Sequence, residues 1–208
     1  MFRFNLFGIP ITVEPWFWLT MAFIGNGMSA NSTQDFLNLA LFIMAGFISI
    51  LIHEMGHALT IRKFGLPTQV TLSAFGGYAT HPTGVLSRKK SFLVTAAGPA
   101  LQISFGVIVW ALAKNMTYPS LQIDHFVYWL WKVSLIWAIF NCLPIFPLDG
   151  GQMLASILGP RRAKGLHITG ITCAVIIGLI GFKFGQPVIA MFMGLFAWQN
   201  YQMLQQTR

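Results

Sequence analysis

Acidic side chains are nearly missing from this 208-residue chain: Glu14, Asp35, Glu54, Asp124 and Asp149 are the five, and all charged residues together make up 9%. A soluble domain of this length carries roughly a quarter charged residues. The composition, 55% hydrophobic with a mean hydropathy of +0.66, therefore excludes an ordinary water-soluble globule and points to a chain integral to a lipid bilayer. Cysteine is scarce too. Cys142 and Cys173 stand alone on apolar stretches, which excludes a disulfide framework and leaves them as small core residues. No low-complexity tract, long linker or internal repeat interrupts the chain, and residues 1–208 read as a single integral-membrane domain with no room for an appended soluble one. The net charge of +8 does not imply nucleic acid, because the basic residues fall in the breaks between apolar runs, where they act as topology signals. Arg3 is the only early positive charge and no small-residue cleavage site follows the apolar stretch 16–24, so that stretch is expected to be a retained span.

Apolar runs predict helices near 14–28, 36–61, 91–113, 126–147, 166–182 and 187–204, each close to the ~20 residues a spanning helix needs. The expected fold is an all-α membrane protein, a bundle of about six transmembrane helices. If the spans alternate, Arg3, Arg62, Lys63, Arg88 to Lys90, Arg161, Arg162, Lys164 and Arg208 share one side, and only Lys114 and Lys183 oppose them. The positive-inside rule then places both termini and the loop 62–90 in the cytoplasm. Ser32-Thr33-Gln34-Asp35 resembles a capping box ahead of the second span, with Asp at the third helical position. Two segments look like strands: Gln69 to Phe75, broken by Gly76-Gly77 before Tyr78-Ala79-Thr80, and Phe4 to Val13 around Gly8 and Pro10. They predict short β segments at the cytoplasmic membrane face, with an edge able to receive an extended peptide.

His53-Glu54-Met55-Gly56-His57 lies inside the apolar run 36–61. Ionisable side chains within a span are expensive and mark a functional site by default. On a helix, positions i and i+4 share one face about 6 Å apart along the axis, so both imidazoles can reach one metal ion. The intervening Glu54 is placed to act on a water there. Catalytic zinc usually takes three protein ligands, and Asp149 is the best candidate for the third. It lies in Asn141-Cys142-Leu143-Pro144-Ile145-Phe146-Pro147-Leu148-Asp149-Gly150-Gly151, at the end of the fourth predicted span. The second and fourth spans run in the same direction, which puts Asp149 at a depth similar to that of the two histidines. Pro144 and Pro147 remove backbone donors and Gly150-Gly151 favours unwinding, so the helix is expected to break there and let Asp149 turn. His81, His125 and His167 fall in loops or near span ends and are expected to be interfacial, with no metal role. Lys132 is expected to snorkel, and Trp16, Trp18, Trp129 and Trp131 to form an aromatic belt.

On these residues the chain resembles the site-2 proteases, a family of intramembrane zinc metalloproteases. The likeness is carried by His53-Glu54-Met55-Gly56-His57 and Leu148-Asp149-Gly150-Gly151 with Asn141 and Pro144 upstream. Phe75-Gly76-Gly77 and Ala97-Gly98-Pro99-Ala100 support it. The resemblance implies one Zn²⁺ held by His53, His57 and Asp149, Glu54 as the acid/base, and Asn141 positioning a transmembrane protein substrate. It also implies a catalytic core over about 36–155 and a place in the prokaryotic cell (inner) membrane. This would be a minimal form without PDZ or CBS domain, which leaves room for a separate regulatory protein. Where relatives commonly have a His before the first span this chain has Glu14, and after Gly98-Pro99 it has Leu101-Gln102 where an Asn is often seen. The rival reading is a metal or proton transporter, since buried His, Glu and Asp also line ion paths. Clustering of the ionisable residues near one face favours the peptidase.

Overall fold

The structure is a computed structural model that describes residues 1–207; Arg208, one of the basic residues used above to orient the chain, lies outside the described residues. Two strands open the chain, Phe2–Leu6 (β1) and Ile9–Val13 (β2), followed by a short helix Pro15–Ile24 (α1) and a long one, Thr33–Lys63 (α2). Strands Gln69–Ser73 (β3) and Gly76–Thr80 (β4) precede helices Arg88–Ala113 (α3) and Leu121–Asn141 (α4). Helices Asp149–Leu158 (α5), Ala163–Lys183 (α6) and Pro187–Gln206 (α7) complete it. Three helical stretches, Thr33–Lys63, Arg88–Ala113 and Pro160–Lys183, are long and apolar enough to cross a membrane, as expected of an integral membrane protein.

The predicted first span, 14–28, forms a helix of only ten residues. At 1.5 Å per residue that is about 15 Å, half of a ~30 Å hydrocarbon layer. The helix stops because Asn26 takes a left-handed conformation (φ 60°) and the chain tightens into a 3-10 turn over Gly27–Ser29. The second span starts where the capping box predicts: Ser32 Oγ accepts from the Asp35 amide at 3.1 Å, and Asp35 accepts from the Ser32 amide at 3.0 Å. Arg62 and Lys63 sit in its last turn, opposite the negative end of the helix dipole.

Two compact units emerge. The first comprises Met1–Thr83 with Ala97–Ile139. Here the two strand-like segments join into one sheet of order β1-β2-β3-β4, with an antiparallel hairpin at each end and a parallel pairing between them (Ile11 opposite Val70, Val13 opposite Leu72). Alternation decides which face is buried: Ile9, Ile11, Val13, Val70 and Leu72 all point into a core with Phe17, Met21, Ile50, Met55 and Ala58. A slip of one residue would turn that whole set outward, so the register is fixed by burial.

The second unit comprises Gly84–Ala96 and the described residues from Phe140 onward. Its core is Ile145, Leu148, Ala174 and Met193. The Arg88 guanidinium caps the end of α5, donating through Nε to the Ser156 carbonyl (2.9 Å) and through Nη2 to that of Ile157. A cation at the carbonyl end of a helix is favourably placed.

Candidate metal centre

α2 carries His53, Glu54 and His57 in a continuous helical turn, and all three are buried, at 2%, 3% and 8% exposure. The i, i+4 spacing brings the Nε2 atoms of His53 and His57 to 3.1 Å from each other, with the rings nearly perpendicular at 76°. Two nitrogens bound to one tetrahedral zinc at about 2.0–2.1 Å would lie about 3.3 Å apart, so the pair is spaced as two ligands of one ion. On its other side His53 presents Nδ1 to the Gln102 Oε1 atom of α3 at 2.7 Å. Two glycines make room around these side chains. A Cβ on Gly98 of α3 would run into the His57 ring at Nε2, and one on Gly77 of β4 would lie 2.6–2.8 Å from the Glu54 side chain. Strand β4 thus runs directly beside Glu54, and the space that a side chain at position 98 would fill lies against a ligand-type nitrogen. Clustered donors, close spacing and a protected cradle fit a zinc ion.

In the second unit, Asp149 is the first residue of α5 and is 8% exposed. A carboxylate there meets the positive end of the helix dipole. The expected break occurs, but upstream of its expected place. α4 ends at Asn141, the chain turns through 142–148 with both prolines in the turn, and Gly150 and Gly151 lie inside the first turn of α5, not in an unwound stretch. The physical reason is close backbone packing: a Cβ on either glycine would strike the main chain of the preceding turn. Asn141 is the last residue of α4 and is half-buried. His53 and His57 in the first unit and Asp149 in the second are each buried and each offer a ligand-type atom.

Residues 117–182, which include Asn141 and Asp149, match the model of peptidase family M50. Over that stretch the chain resembles that family. Relatives of this chain include Rip3 of Mycobacterium tuberculosis, 32% identical over 165 residues, covering 72% of this chain and 41% of that protein. A zinc metalloprotease of Methanocaldococcus jannaschii is 28% identical over 161 residues, covering 76% and 45%. The chain thus spans less than half the length of these two relatives. Stage IV sporulation protein FB of Bacillus subtilis is 26% identical over 206 residues, covering 93% of this chain and 67% of that protein. The solved structure of a site-2 protease from Methanocaldococcus jannaschii shares the fold, with a TM-score of 0.68 over 98% of this chain and 94% of that one at 24% identity.

Among the other polar residues, His167 departs from the expectations above. His167, expected at an interface, is buried in α6, with Nδ1 3.2 Å from the Asn200 Oδ1 atom of α7. Asn200, fully buried, donates to the carbonyls of Phe146 (2.6 Å) and Phe196 (2.8 Å). It thereby anchors the turn that leads to Asp149. Gln102 and Asn200 were missed as site-building residues, although each is a polar side chain inside an apolar run, the signal that singled out the histidine motif. His81 Nδ1 lies 2.9 Å from the Pro82 carbonyl and His125 Nδ1 lies 3.1 Å from Asn38 Oδ1. Lys132 lies over the Tyr128 and Trp129 rings, at 4.7 and 5.4 Å.

Proposed function

We propose that this chain is an intramembrane zinc endopeptidase that hydrolyses peptide bonds in or near transmembrane segments of other proteins, as in regulated intramembrane proteolysis or removal of signal-peptide remnants. The observation that carries this reading is a facing pair of imidazole nitrogens with Glu54 in the same buried turn of an apolar helix long enough to cross a bilayer. His53, His57 and Asp149 are the residues we assign to hold one zinc. When bound, zinc supplies Lewis acidity toward the scissile carbonyl. Glu54 accepts a proton from the attacking water and passes it to the leaving amine, a role for which its neighbouring position between the ligands suits it. Asn141 hydrogen-bonds the substrate backbone.

A helical substrate must unwind before its carbonyls can be attacked, because they are already bonded within the helix. Strand β4 ends the sheet, and among the described residues no strand pairs with its outer edge. Pairing of an unwound substrate stretch with that edge, beside Glu54, offsets the loss of helical hydrogen bonds in an apolar medium. In this reading the bundle has about six spans, both termini and the sheet face the cytoplasm, and the membrane is the prokaryotic inner membrane. A separate regulatory protein acting in trans is part of this reading.

The test compares membrane-protein fragments in cells that carry the native chain or Glu54→Gln. The expected result is an uncut precursor that accumulates only with Glu54→Gln, a drop in cleavage of roughly 10²- to 10⁴-fold, while the purified variant keeps stoichiometric zinc. Full cleavage by Glu54→Gln would refute the role of Glu54. A purified native chain without bound zinc would refute the reading as a whole.

A further inference from the structure

Behind His53 a line of buried polar side chains crosses three helices, and its hydrogen bonds can be satisfied in only one direction. It ends at the Leu130 carbonyl of α4, which can only accept, and the Ser134 hydroxyl donates to it at 2.6 Å. The single proton of Ser134 is thereby committed, so at the 3.0 Å contact between Ser134 Oγ and Ser49 Oγ the donor is Ser49. With its proton committed in turn, the Ser49 hydroxyl accepts from the Gln102 amide nitrogen at 2.8 Å. That nitrogen also lies 3.2 Å from the Ser49 carbonyl. Reversing the amide would set its oxygen against a carbonyl oxygen, so the orientation of Gln102 is fixed. Its Oε1 atom faces His53 Nδ1 at 2.7 Å and must accept, which makes Nδ1 the protonated nitrogen of His53. The lone pair is left on Nε2, the atom 3.1 Å from His57 Nε2. Gln102, Ser49 and Ser134 are all fully buried, so water does not compete for these bonds.

We propose that Gln102 is a positioning residue of the metal centre: it holds His53 in the tautomer and ring orientation that aim Nε2 at the ion, and Ser49 and Ser134 hold Gln102. This inference rests on the zinc peptidase reading and adds to it a residue that reaches the metal only through His53. A partner of this kind raises the basicity of the ligand and removes the cost of selecting one tautomer on binding.

The test uses the full chain in detergent, with folding checked by thermal unfolding. Zinc affinity is measured by competition with a chelator, and the histidine ring nitrogens are followed by nitrogen-15 NMR after zinc is stripped. Gln102→Met keeps the volume and removes the acceptor. It is expected to weaken zinc binding roughly 10- to 100-fold and to move His53 from the Nδ1–H form toward the Nε2–H form. Gln102→Glu, which restores an oxygen facing Nδ1, is expected to keep the Nδ1–H signature and to bind zinc more tightly than Gln102→Met. Native zinc affinity in folded Gln102→Met, or an Nε2–H signature for His53 in the native chain, would overturn the proposal. Should Gln102→Met fail to fold, the His53 signature in the native chain and in Gln102→Glu decides. If the native chain binds zinc and cuts while Gln102→Met does so equally well, the positioning role fails and the peptidase reading stands. If the native chain binds no zinc, the peptidase reading fails first.

Discussion

His53 in the first unit and His167 in the second are held by the same device and meet different surroundings. Each presents Nδ1 to the oxygen of a buried carboxamide, Gln102 or Asn200, whose nitrogen is committed elsewhere: to the Ser49 hydroxyl and carbonyl for Gln102, and to the Phe146 and Phe196 carbonyls for Asn200. Each imidazole is therefore fixed as a donor at Nδ1. What differs is the company of the ring: His53 Nε2 faces a second imidazole nitrogen, whereas the His167 ring packs edge-on against Phe146 with centroids 6.3 Å apart. A locked tautomer alone does not make a metal ligand. The neighbour of the other ring nitrogen, Nε2, does, and that neighbour is supplied for His53 by helical spacing. The direction of support differs too. In the first unit the carboxamide is held by side chains as well as by its bond to the Ser49 carbonyl, while in the second its nitrogen bonds main chain alone, including the Phe146 carbonyl in the turn before Asp149.

Substitutions can break or sharpen this contrast. The largest effect is expected from Gly98→Ala, which drives a methyl group into His57 at Nε2. Zinc affinity should fall more than about 100-fold, beyond the range seen for outer partners of a ligand, with the fold retained by circular dichroism. Near-native zinc binding in this variant would mean that the face of His57 toward α3 is not the ligand face. Next comes Asn200→Leu, which strips the Phe146 carbonyl and His167 of their partner. It should cost about 1–3 kcal/mol of stability for each buried group left unsatisfied, read as a lower unfolding temperature, with a smaller loss of zinc affinity than Gln102→Met. An equal or greater loss of zinc affinity would show that main-chain support matters as much to the centre as side-chain support. The smallest effect is expected from Ser134→Ala at the far end of the line. Gln102 keeps its bond to the Ser49 carbonyl there, so zinc affinity should change by no more than roughly 2- to 3-fold, below the range for a direct partner of the ligand.

Local patterns in the sequence were the most legible. The histidine pair needed only five consecutive residues and the geometry of a helix, and the capping box of α2 needed four. Both strand pairs were visible from alternation and glycine breaks, but their union into one sheet through the parallel β2 and β3 pairing was not, because it joins residues almost sixty positions apart. Gln102 was noted only as a replacement for Asn, since nothing local ties position 102 to position 53. The helix break before Asp149 was legible from the prolines. Its placement was off because glycines that serve close packing look the same in sequence as glycines that serve unwinding. His167 was misjudged for a related reason: its partner, Asn200, is 33 residues away.

Parallel pairing of β2 with β3 also constrains how the polypeptide threads. Strands joined by hydrogen bonds are about 4.8 Å apart, so Val13 and Val70 cannot lie on opposite faces of a bilayer. In the proposed topology the stretch between them traverses the hydrocarbon an even number of times, so that when α2 crosses, residues 14–32 cross as well. The ten-residue α1 covers about 15 Å of that path. The remaining distance falls to the turn and extended residues 25–32, whose backbone groups then need shelter from lipid within the protein.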